Sequence, residues 1–215
     1  MIHPLTLFLV TAQLLVMPGS PALVAALAQR DEAAQRLRAL AQRSAERYAD
    51  MPIHLVGSED ERWFTAHAGS FRAWGAPQEQ VGEGHYLPEL VMRHVLGPRA
   101  NVVQVRDRLC TPEEGVLTVV ALDGSAGLTP RAPLSLLDGA SRADQWCRDL
   151  LAGRLRQGGP GEEGGDLCHW LSRAGVIEPE LWCELAALRP DRAHLVDADA
   201  TAGVGRYVAQ WEWEA

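Results

Sequence analysis

The sequence predicts an α/β fold, with helices covering both faces of a largely parallel or mixed central sheet in a three-layer α/β/α arrangement. Short runs of apolar and β-branched residues, typical of strands buried on both faces, alternate with longer segments of helical periodicity. The clearest run is 117–122 (LTVVAL), and it ends in the polar, glycine-containing turn 123–127 (DGSAG). Such alternation is typical of βαβ units, the building blocks of a parallel sheet.

The individual elements follow from the same two patterns taken along the chain. Segments with leucine and alanine at three- and four-residue steps are predicted as helices, and short apolar runs that end at Gly, Pro or polar residues as strands. A glycine-rich linker is expected at 157–165 and a polar turn at 197–203, whereas 60–84 is expected to be irregular. The predicted strands are 5–10, 53–56, 101–105, 117–122 and 204–211, and the predicted helices are 22–50, 85–96, 141–156, 166–174 and 179–188.

Size and charge limit the classes of function. A chain of 215 residues with 47% hydrophobic content predicts one α/β domain, residues 1–215, with a substantial core. The net charge of -8 disfavours binding to nucleic acids or anionic membranes. The expected partner is a small-molecule ligand, and a homo-oligomer or a partner protein remains open.

The chain contains no lysine, and its 20 basic residues other than histidine are all arginines. We interpret this composition as a bias in codon usage rather than as a functional adaptation. Its chemical consequence is that the chain cannot form an internal Schiff base with pyridoxal phosphate and cannot supply a P-loop lysine. Several large classes of enzyme are therefore excluded.

The cysteines and the first residues bear on the expected compartment. Cys110, Cys147, Cys168 and Cys183 share no CxxC spacing, so we interpret them as mostly buried thiols of a reducing compartment. Residues 5–17 have the length of a signal-peptide core, but no Lys or Arg precedes them. A segment of about thirteen residues is also too short to span a bilayer. These features favour a buried first strand and a cytoplasmic protein.

Several segments, in the same order along nearly the whole chain, resemble the LigB-type (class III extradiol ring-cleavage dioxygenase) superfamily, in particular its short single-domain branch. The resemblance lies in their order rather than in any single motif. The segments are LLVMPGS (14–20), HLVGS (54–58), GSFRAWGA (69–76), LPELVMRHVLG (87–97), LDGSAGLTPRAPLSLLD (122–138), GDLCHWLSRAGVIEPELWCELAAL (165–188) and AGVGRYVAQW (202–211).

The resemblance implies a non-haem Fe(II) site held by two histidines and one glutamate, yet the chain departs from that pattern. The first family histidine follows strand one, where 10–14 (VTAQL) has none. The family's acid/base histidine lies in a turn that corresponds to 123–126 (DGSA), again without histidine. Thr, Ala and Gln do not replace imidazole on iron. We therefore expect a degenerate iron site and no resident cofactor, in a protein that binds or transforms a small molecule, such as an aromatic compound, or acts as a partner subunit.

Two alternatives remain open at this stage. His54, Glu59 and His85 are the candidate ligands of a relocated Fe(II) or other divalent metal site, which would make the protein an active oxidoreductase of the extradiol type. Alternatively, Ser125 is the nucleophile of a hydrolase, with His194 and an acid such as Asp197 or Asp199. The 123–127 turn lacks the strand-turn-helix context of a nucleophile elbow, which weakens this second alternative.

The candidate site residues follow from their positions after predicted strands and in the aromatic segment before the second helix. We expect the carboxyl ends of the strands to bring them together. Trp211 and Trp213 alternate with glutamates, which predicts an edge strand whose tryptophan face needs a cover, for example from a second subunit. The candidate catalytic residues are Asp123, Ser125 and His85, and the candidate substrate-binding residues are Gln13, Ser58, Glu59, Trp74 and Thr201.

Overall fold

The computed structural model describes residues 12–155 and 166–214. The strands in these ranges are β1 Ala12–Met17, β2 Ile53–Val56, β3 Ser70–Phe71, β4 Ala76–Gln80, β5 Val102–Arg106, β6 Leu117–Ala121, β7 Arg192–Asp199 and β8 Arg206–Trp213. The α-helices are α1 Glu32–Glu46, α2 Leu87–Leu96, α3 Ala140–Leu151, α4 Leu167–Arg173 and α5 Pro179–Ala187, and single 3-10 turns lie at Pro21–Leu23, Glu61–Trp63 and Arg72–Trp74.

Six strands form one mixed sheet in the order β5-β2-β6-β1-β8-β7. The four strands β5, β2, β6 and β1 run parallel to each other. The strand β8 pairs antiparallel with both β1 and β7, so a hairpin completes one side of the sheet. Together with helices on both faces, this arrangement confirms the predicted α/β class.

Two apolar clusters, one on each face of the sheet, form the core. The helices α1 and α2 pack on one face, against alternate residues of the parallel strands such as Leu15, Leu55 and Val119. The helices α3, α4 and α5 pack on the other face, against the intervening residues such as Val16 and Val120. Because both faces are covered, β1, β2 and β6 are buried along their whole length.

The first helix is shorter than the sequence predicts. The segment 22–50 was expected to be one helix, whereas α1 spans only Glu32–Glu46. The Asp31 carboxylate accepts a hydrogen bond from the Ala34 N–H at 2.9 Å and so caps the helix at its N-terminus. A 3-10 turn and short turns occupy the preceding residues. The capping preference of aspartate outweighs the apolar periodicity on its N-terminal side.

The predicted polar turn at 197–203 begins too early, because 192–199 forms β7. This strand lies at the edge of the sheet and is rich in charged residues, so it lacks the apolar run from which strands are predicted. The expectation of an edge strand at Trp211 and Trp213 is wrong for the same reason. The strand β8 is internal, Trp211 is fully buried, and its indole N–H donates to the Leu151 carbonyl at 3.0 Å.

Other differences are local. The segment 60–84, expected to be irregular, contains the hairpin β3–β4. Residues 12–17, expected to follow the first strand, form β1. The strand predicted at 5–10 and the linker predicted at 157–165 lie outside the described residues. The remaining predicted strands and helices are confirmed, with most of their ends within about two residues and the end of α3 further off.

The cysteines differ from the expectation of four free thiols. Cys168 and Cys183 form a disulfide between α4 and α5. Cys110 is free and exposed, and Cys147 is free and buried. Sequence spacing gave no sign of the bond, because the two cysteines are 15 residues apart and meet only when α4 and α5 pack together. In the part of the chain that the structure describes, no helix has the length and apolarity needed to cross a membrane.

Candidate functional site

A topological switch point lies between β1 and β6, at the edge of the sheet where the parallel strands have their carboxyl ends. The chain after β1 continues to α1 on one face, whereas the chain after β6 continues to α3 on the other face. Neighbouring parallel strands whose connections leave to opposite faces form a crevice in which α/β proteins bind ligands. We call the region flanked by Gly19, Asp123 and Arg206 the switch-point crevice.

The backbone of Asp123 is held firmly at this crevice. Asp123 forms an isolated antiparallel bridge with Arg206 at the start of β8. The next residue, Gly124, donates its N–H to the Gly205 carbonyl at 2.7 Å. The indole N–H of Trp182 in α5 donates to the Asp123 carbonyl at 2.8 Å. The aspartate is therefore positioned by both the hairpin β7–β8 and the helix α5.

The Asp123 side chain is unusual in two respects. Its Oδ1 is shielded from solvent and has no hydrogen-bond partner within residues 12–155 and 166–214. Burial raises the pKa of this carboxyl to about 7, while the Arg206 charge and the Gly19 N–H oppose the shift and Glu178 adds to it. At neutral pH the carboxyl is partly protonated, so it can donate or accept a proton.

Arg206 holds the surroundings of Asp123 together. This arginine is 2% exposed, and its Nη1 donates to Asp31 Oδ2 at 2.6 Å. Its Nη2 donates to Asp199 Oδ2 at 2.7 Å and to Asp31 Oδ1 at 3.3 Å. We call these three residues the arginine clamp, which ties the start of α1 to the hairpin β7–β8. The N–H on Nε is buried and has no partner in the described ranges.

Ser125 is part of the same loop but is engaged in structure. It is 0% exposed, and its hydroxyl donates to the Ala174 carbonyl at 2.6 Å. The same oxygen accepts the Gly127 N–H at 3.1 Å. His194, its proposed base, lies exposed on the edge strand β7. These contacts give the hydrolase alternative no support.

His85, the third candidate catalytic residue, lies two residues before α2 and is exposed. Its Nδ1 is 2.9 Å from the Thr65 carbonyl, and its ring stacks on Phe64 with 5.8 Å between the ring centres. These contacts fasten the loop after β2 to the start of α2. No contact joins His85 to Asp123 or to the arginine clamp.

Ser58 and Glu59 follow β2, which is the neighbour of β6 on the side away from β1. The Ser58 hydroxyl accepts the Asp60 N–H at 3.2 Å and closes a local turn. Partial burial raises the pKa of Glu59, with additional contributions from the Asp107 and Glu89 charges. Both residues lie at the predicted edge of the sheet, but neither has a side-chain contact with Asp123.

Gln13 is not at this edge. The prediction placed it after the first strand, whereas it is the second residue of β1 and lies towards the opposite end. Its Oε1 accepts a hydrogen bond from the Tyr48 hydroxyl at 2.9 Å. The assignment failed because the first strand continues to Met17, further along the sequence than the predicted end at residue 10.

Trp74 and Thr201 lie in different parts of the molecule, and only Thr201 is near the arginine clamp. Trp74 is partly buried against the α1–α2 cluster, edge-on to the fully buried Phe71. The Thr201 hydroxyl donates to the Asp199 carboxylate at 2.9 Å, so Thr201 adjoins the arginine clamp. Thr201 also lines an open depression of about 360 Å³ at this edge, with Thr129, Pro130, Arg131 and Ala202.

The proposed relocated metal ligands do not converge. His54 lies inside β2, where its Nδ1 contacts Arg106 and is 3.7 Å from Glu113 Oε1. Burial lowers the pKa of His54, and Arg106 lowers it further, against an opposing contribution from Glu113. No group of three His, Cys, Asp or Glu residues in the described ranges is arranged to hold a metal ion.

Sequence reasoning missed the arginine clamp. Asp31 was assigned to the interior of a long helix, and Arg206 was taken as one residue of an apolar strand. The available signal was a charged residue in a segment, 204–211 (VGRYVAQW), that is otherwise mostly apolar. A buried arginine requires acidic partners, but the sequence does not show which ones.

No family model matches the sequence, and no curated protein matches it either.

Proposed function

We propose that this protein is a divergent LigB-like domain with a degenerate iron site, and that it binds a small hydroxyl-bearing molecule in the switch-point crevice. The observation that carries the proposal is that two buried polar atoms, Asp123 Oδ1 and Arg206 Nε, have no hydrogen-bond partner in the described ranges and belong to residues paired by a backbone bridge. Buried polar atoms are usually hydrogen-bonded, and exceptions call for an explanation. A ligand hydroxyl donates to one of these atoms and accepts from the other.

The charges around the crevice favour an uncharged ligand. Both terminal nitrogens of Arg206 are engaged by Asp31 and Asp199, and Glu178 lies near enough to influence Asp123. An anion would meet these carboxylates without a free arginine terminus to balance its charge. A phenol or a small polyol satisfies the hydrogen bonds without that repulsion. If the ligand is transformed, Asp123 is the group suited to exchange a proton with its hydroxyl.

The residues present do not fit the iron of the resembling family. With β1 at Ala12–Met17, the position that follows strand one is Pro18-Gly19-Ser20 rather than 10–14, and it also lacks histidine. The turn after β6 offers Asp123 but no imidazole. One carboxylate is too few ligands for a facial triad. The proposal therefore rests on binding and proton exchange by this chain's own residues. No contact favours the relocated metal site or the Ser125 hydrolase as a second function.

Binding is tested by nuclear magnetic resonance (NMR) titration of the labelled protein with catechol, phenol and benzoate as probes. We expect catechol and phenol to shift the amide signals of Gly19, Gly124 and Gly205, and benzoate to have a much weaker effect. Asp123→Leu should abolish the shifts. Asp138→Asn, which changes an exposed aspartate in the loop that follows, should leave them unchanged. If the uncharged probes shift nothing at the crevice, or shift it equally in Asp123→Leu, the proposal is wrong.

The degenerate iron site is tested separately, by elemental analysis of anaerobically purified protein and by titration with Fe(II) and Zn(II). The proposal expects no stoichiometric ion and no saturable binding. About one tightly held ion per chain would contradict it, and His54→Ala and His85→Ala variants would then show whether those residues are ligands.

A further inference from the structure

The disulfide Cys168–Cys183 joins the two short helices that lie beneath the Asp123 loop, residues 123–127. Cys168 is the second residue of α4, and Cys183 lies in the middle of α5. Both residues are partly exposed, so a small reductant can reach them. The helices are also held by apolar packing, with Leu171, Leu181, Trp182 and Leu185 buried in the core. The covalent bond adds to this apolar contact.

The helix α5 touches the crevice at two points. Trp182, next to Cys183 in the sequence, donates its indole N–H to the Asp123 carbonyl at 2.8 Å. Glu178, just before α5, accepts the Trp63 indole N–H at 2.8 Å and also pairs with Arg62 at 3.1 Å. A movement of α5 therefore acts on the backbone of Asp123 and on the Glu178 charge, which influences the Asp123 carboxyl.

The connection between α4 and α5 touches the Asp123 loop as well. The Ala174 carbonyl accepts the Ser125 hydroxyl at 2.6 Å. The Gly175 carbonyl accepts the Ala126 N–H at 2.9 Å, and Ser125 forms a bridge with Val176. The α4–α5 pair and the loop are therefore one hydrogen-bonded unit.

We propose that Cys168 and Cys183 form a reversible thiol switch, and that reduction of their disulfide loosens the α4–α5 pair and with it the Asp123 loop. As a regulation of ligand binding, this inference rests on the proposed function. A dithiol supplies the reducing equivalents. Its thiolate attacks one sulfur, the S–S bond breaks through a mixed disulfide, two cysteine thiols form, and the dithiol becomes a disulfide. Two electrons and two protons pass from the reductant to the protein.

The expected effect follows from the length of chain that the bond closes. The two cysteines are 15 residues apart in the sequence. In the chain-entropy model, opening a loop of about this length changes the equilibrium constant for unfolding of the cross-linked segment on the order of 100-fold. We therefore expect the amide protons of α4, α5 and 123–127 to exchange up to about 100-fold faster in the reduced protein, and those of β2 to be unaffected.

The test is native-state hydrogen exchange of the oxidised and the dithiol-reduced protein. A Cys168→Ser/Cys183→Ser double variant should exchange like the reduced protein and not respond to the reductant. A Cys110→Ser variant, which removes the exposed free thiol, should respond like the unmodified chain. A thiol count on denatured, unreduced protein should give two thiols. Four thiols, or equal exchange rates at 123–127 in both states, would overturn the switch.

Failure of the switch is distinguishable from failure of the proposed function, because the exchange measurement uses no ligand. Catechol binding that is identical in the oxidised and reduced proteins would leave the function in place and remove the switch. If hydrogen exchange at 123–127 depends on the redox state but the protein binds none of the uncharged probes, the switch stands and the proposed function fails. Weaker catechol binding after reduction, absent in the double variant, is the result that both proposals expect.

Discussion

Asp31 and Asp123 lie beside the same arginine, and their proton affinities move in opposite directions. Burial acts to raise the pKa of Asp31, but hydrogen bonds from Arg206 and the Ala34 N–H outweigh it and the pKa is lowered. Burial also acts on Asp123, and here it prevails, raising the pKa to about 7. The two carboxyls differ in their contacts with Arg206. Asp31 receives hydrogen bonds from both terminal nitrogens of this arginine, whereas Asp123 receives no hydrogen bond from it.

The comparison shows that proximity to a cation is not enough to keep a buried carboxyl ionised. The direct hydrogen bonds of Arg206 go to Asp31 and Asp199, so its charge is largely compensated before it acts on Asp123. Asp31 consequently serves structure, as the cap of α1 and as part of the clamp. Asp123 has one buried oxygen without a hydrogen-bond partner in the described ranges, and this is the oxygen that the proposed ligand would engage.

The largest effect should come from removing the shared arginine. Arg206→Met leaves Asp31 and Asp199 without their partner in a buried site, and we expect it to destabilise the protein by about 3–5 kcal/mol. Urea unfolding measures the loss. The pKa of Asp123 should also rise further, because the opposing charge is gone. A loss below about 1 kcal/mol would mean that the clamp is not a buried unit.

Neutralising Asp123 should stabilise the protein at neutral and higher pH, in contrast to the loss of stability expected for Arg206→Met. The folded protein holds the Asp123 proton up to about pH 7, whereas the unfolded chain releases it near the ordinary value of 3.8. Between these pH values the folded state binds more protons, so the free energy of unfolding falls as the pH rises, by up to about 4 kcal/mol. Asp123→Asn removes this dependence. We expect the variant to be more stable than the wild type at pH 8, with the gain vanishing near pH 4.

Asp31→Asn is the matched control for that experiment. Because the pKa of Asp31 is lowered in the folded state, its ionised form stabilises the protein above the unfolded pKa. The variant should therefore be less stable than the wild type at pH 7, and this deficit should shrink as the pH falls through the lowered pKa. If both asparagine variants shift stability in the same direction, the contrast between the two carboxyls is wrong.

A methyl group next to Asp123 tests how closely the loop is packed. A Cβ on Gly124 would overlap the Tyr207 hydroxyl and lie 3.0 Å from its ring, so Gly124→Ala should cost about 1–3 kcal/mol. Gly19→Ala, on the other side of Asp123, meets its nearest atoms at 3.5 Å and should cost less. Thermal unfolding of the two variants compares the sites.

The Gly124→Ala variant also has a rescue experiment. Tyr207→Phe removes the overlapping hydroxyl, together with its 2.5 Å hydrogen bond to Asp144. The double variant should therefore lose less stability than the sum of the two single variants. Strict additivity would show that the alanine methyl does not meet the tyrosine.

The smallest effect is expected at an ion pair outside the clamp. Arg36 donates to Asp197 at 2.6 Å, but its side chain is 51% exposed. Arg36→Gln should cost less than about 1 kcal/mol, and the cost should decline further in high salt. A loss of stability comparable to that of Arg206→Met would imply that the Arg36–Asp197 pair is coupled to the arginine clamp. Urea unfolding at two salt concentrations measures this cost and its dependence on salt.

Two of the strands that are buried on both faces, β2 and β6, could be predicted from the sequence. The apolar runs at 53–56 and 117–122 identify β2 and β6, and the polar turn after 122 places Asp123 at the edge where the parallel strands have their carboxyl ends. The edge strand β7 was not predicted, because a strand paired on one side tolerates charges along its length. Local pattern therefore identifies interior strands and the edge strand β5, but misses the edge strand β7.

The site was predicted only in part, for a related reason. Asp123 follows a strand and could be found from its position, but the clamp joins residues 175 apart in the sequence. No local pattern links Asp31 to Arg206. The prediction places Gln13 after the first strand, whereas the strand continues past it to Met17. Ser125 has the right position, but its hydroxyl is committed to the Ala174 carbonyl, a contact that depends on the packing of α4.

The internal position of β8 in the sheet has a consequence for how the protein folds during synthesis. Of the strands described, β8 is the last to be synthesised, yet it pairs with β1 in the middle of the sheet. Until it is added, β1 has an open edge of unpaired backbone groups, which other chains can join. The nascent chain therefore depends on a contact of long sequence separation that forms late and slowly. We expect protection by chaperones to matter most in the interval before 206–213 leaves the ribosome.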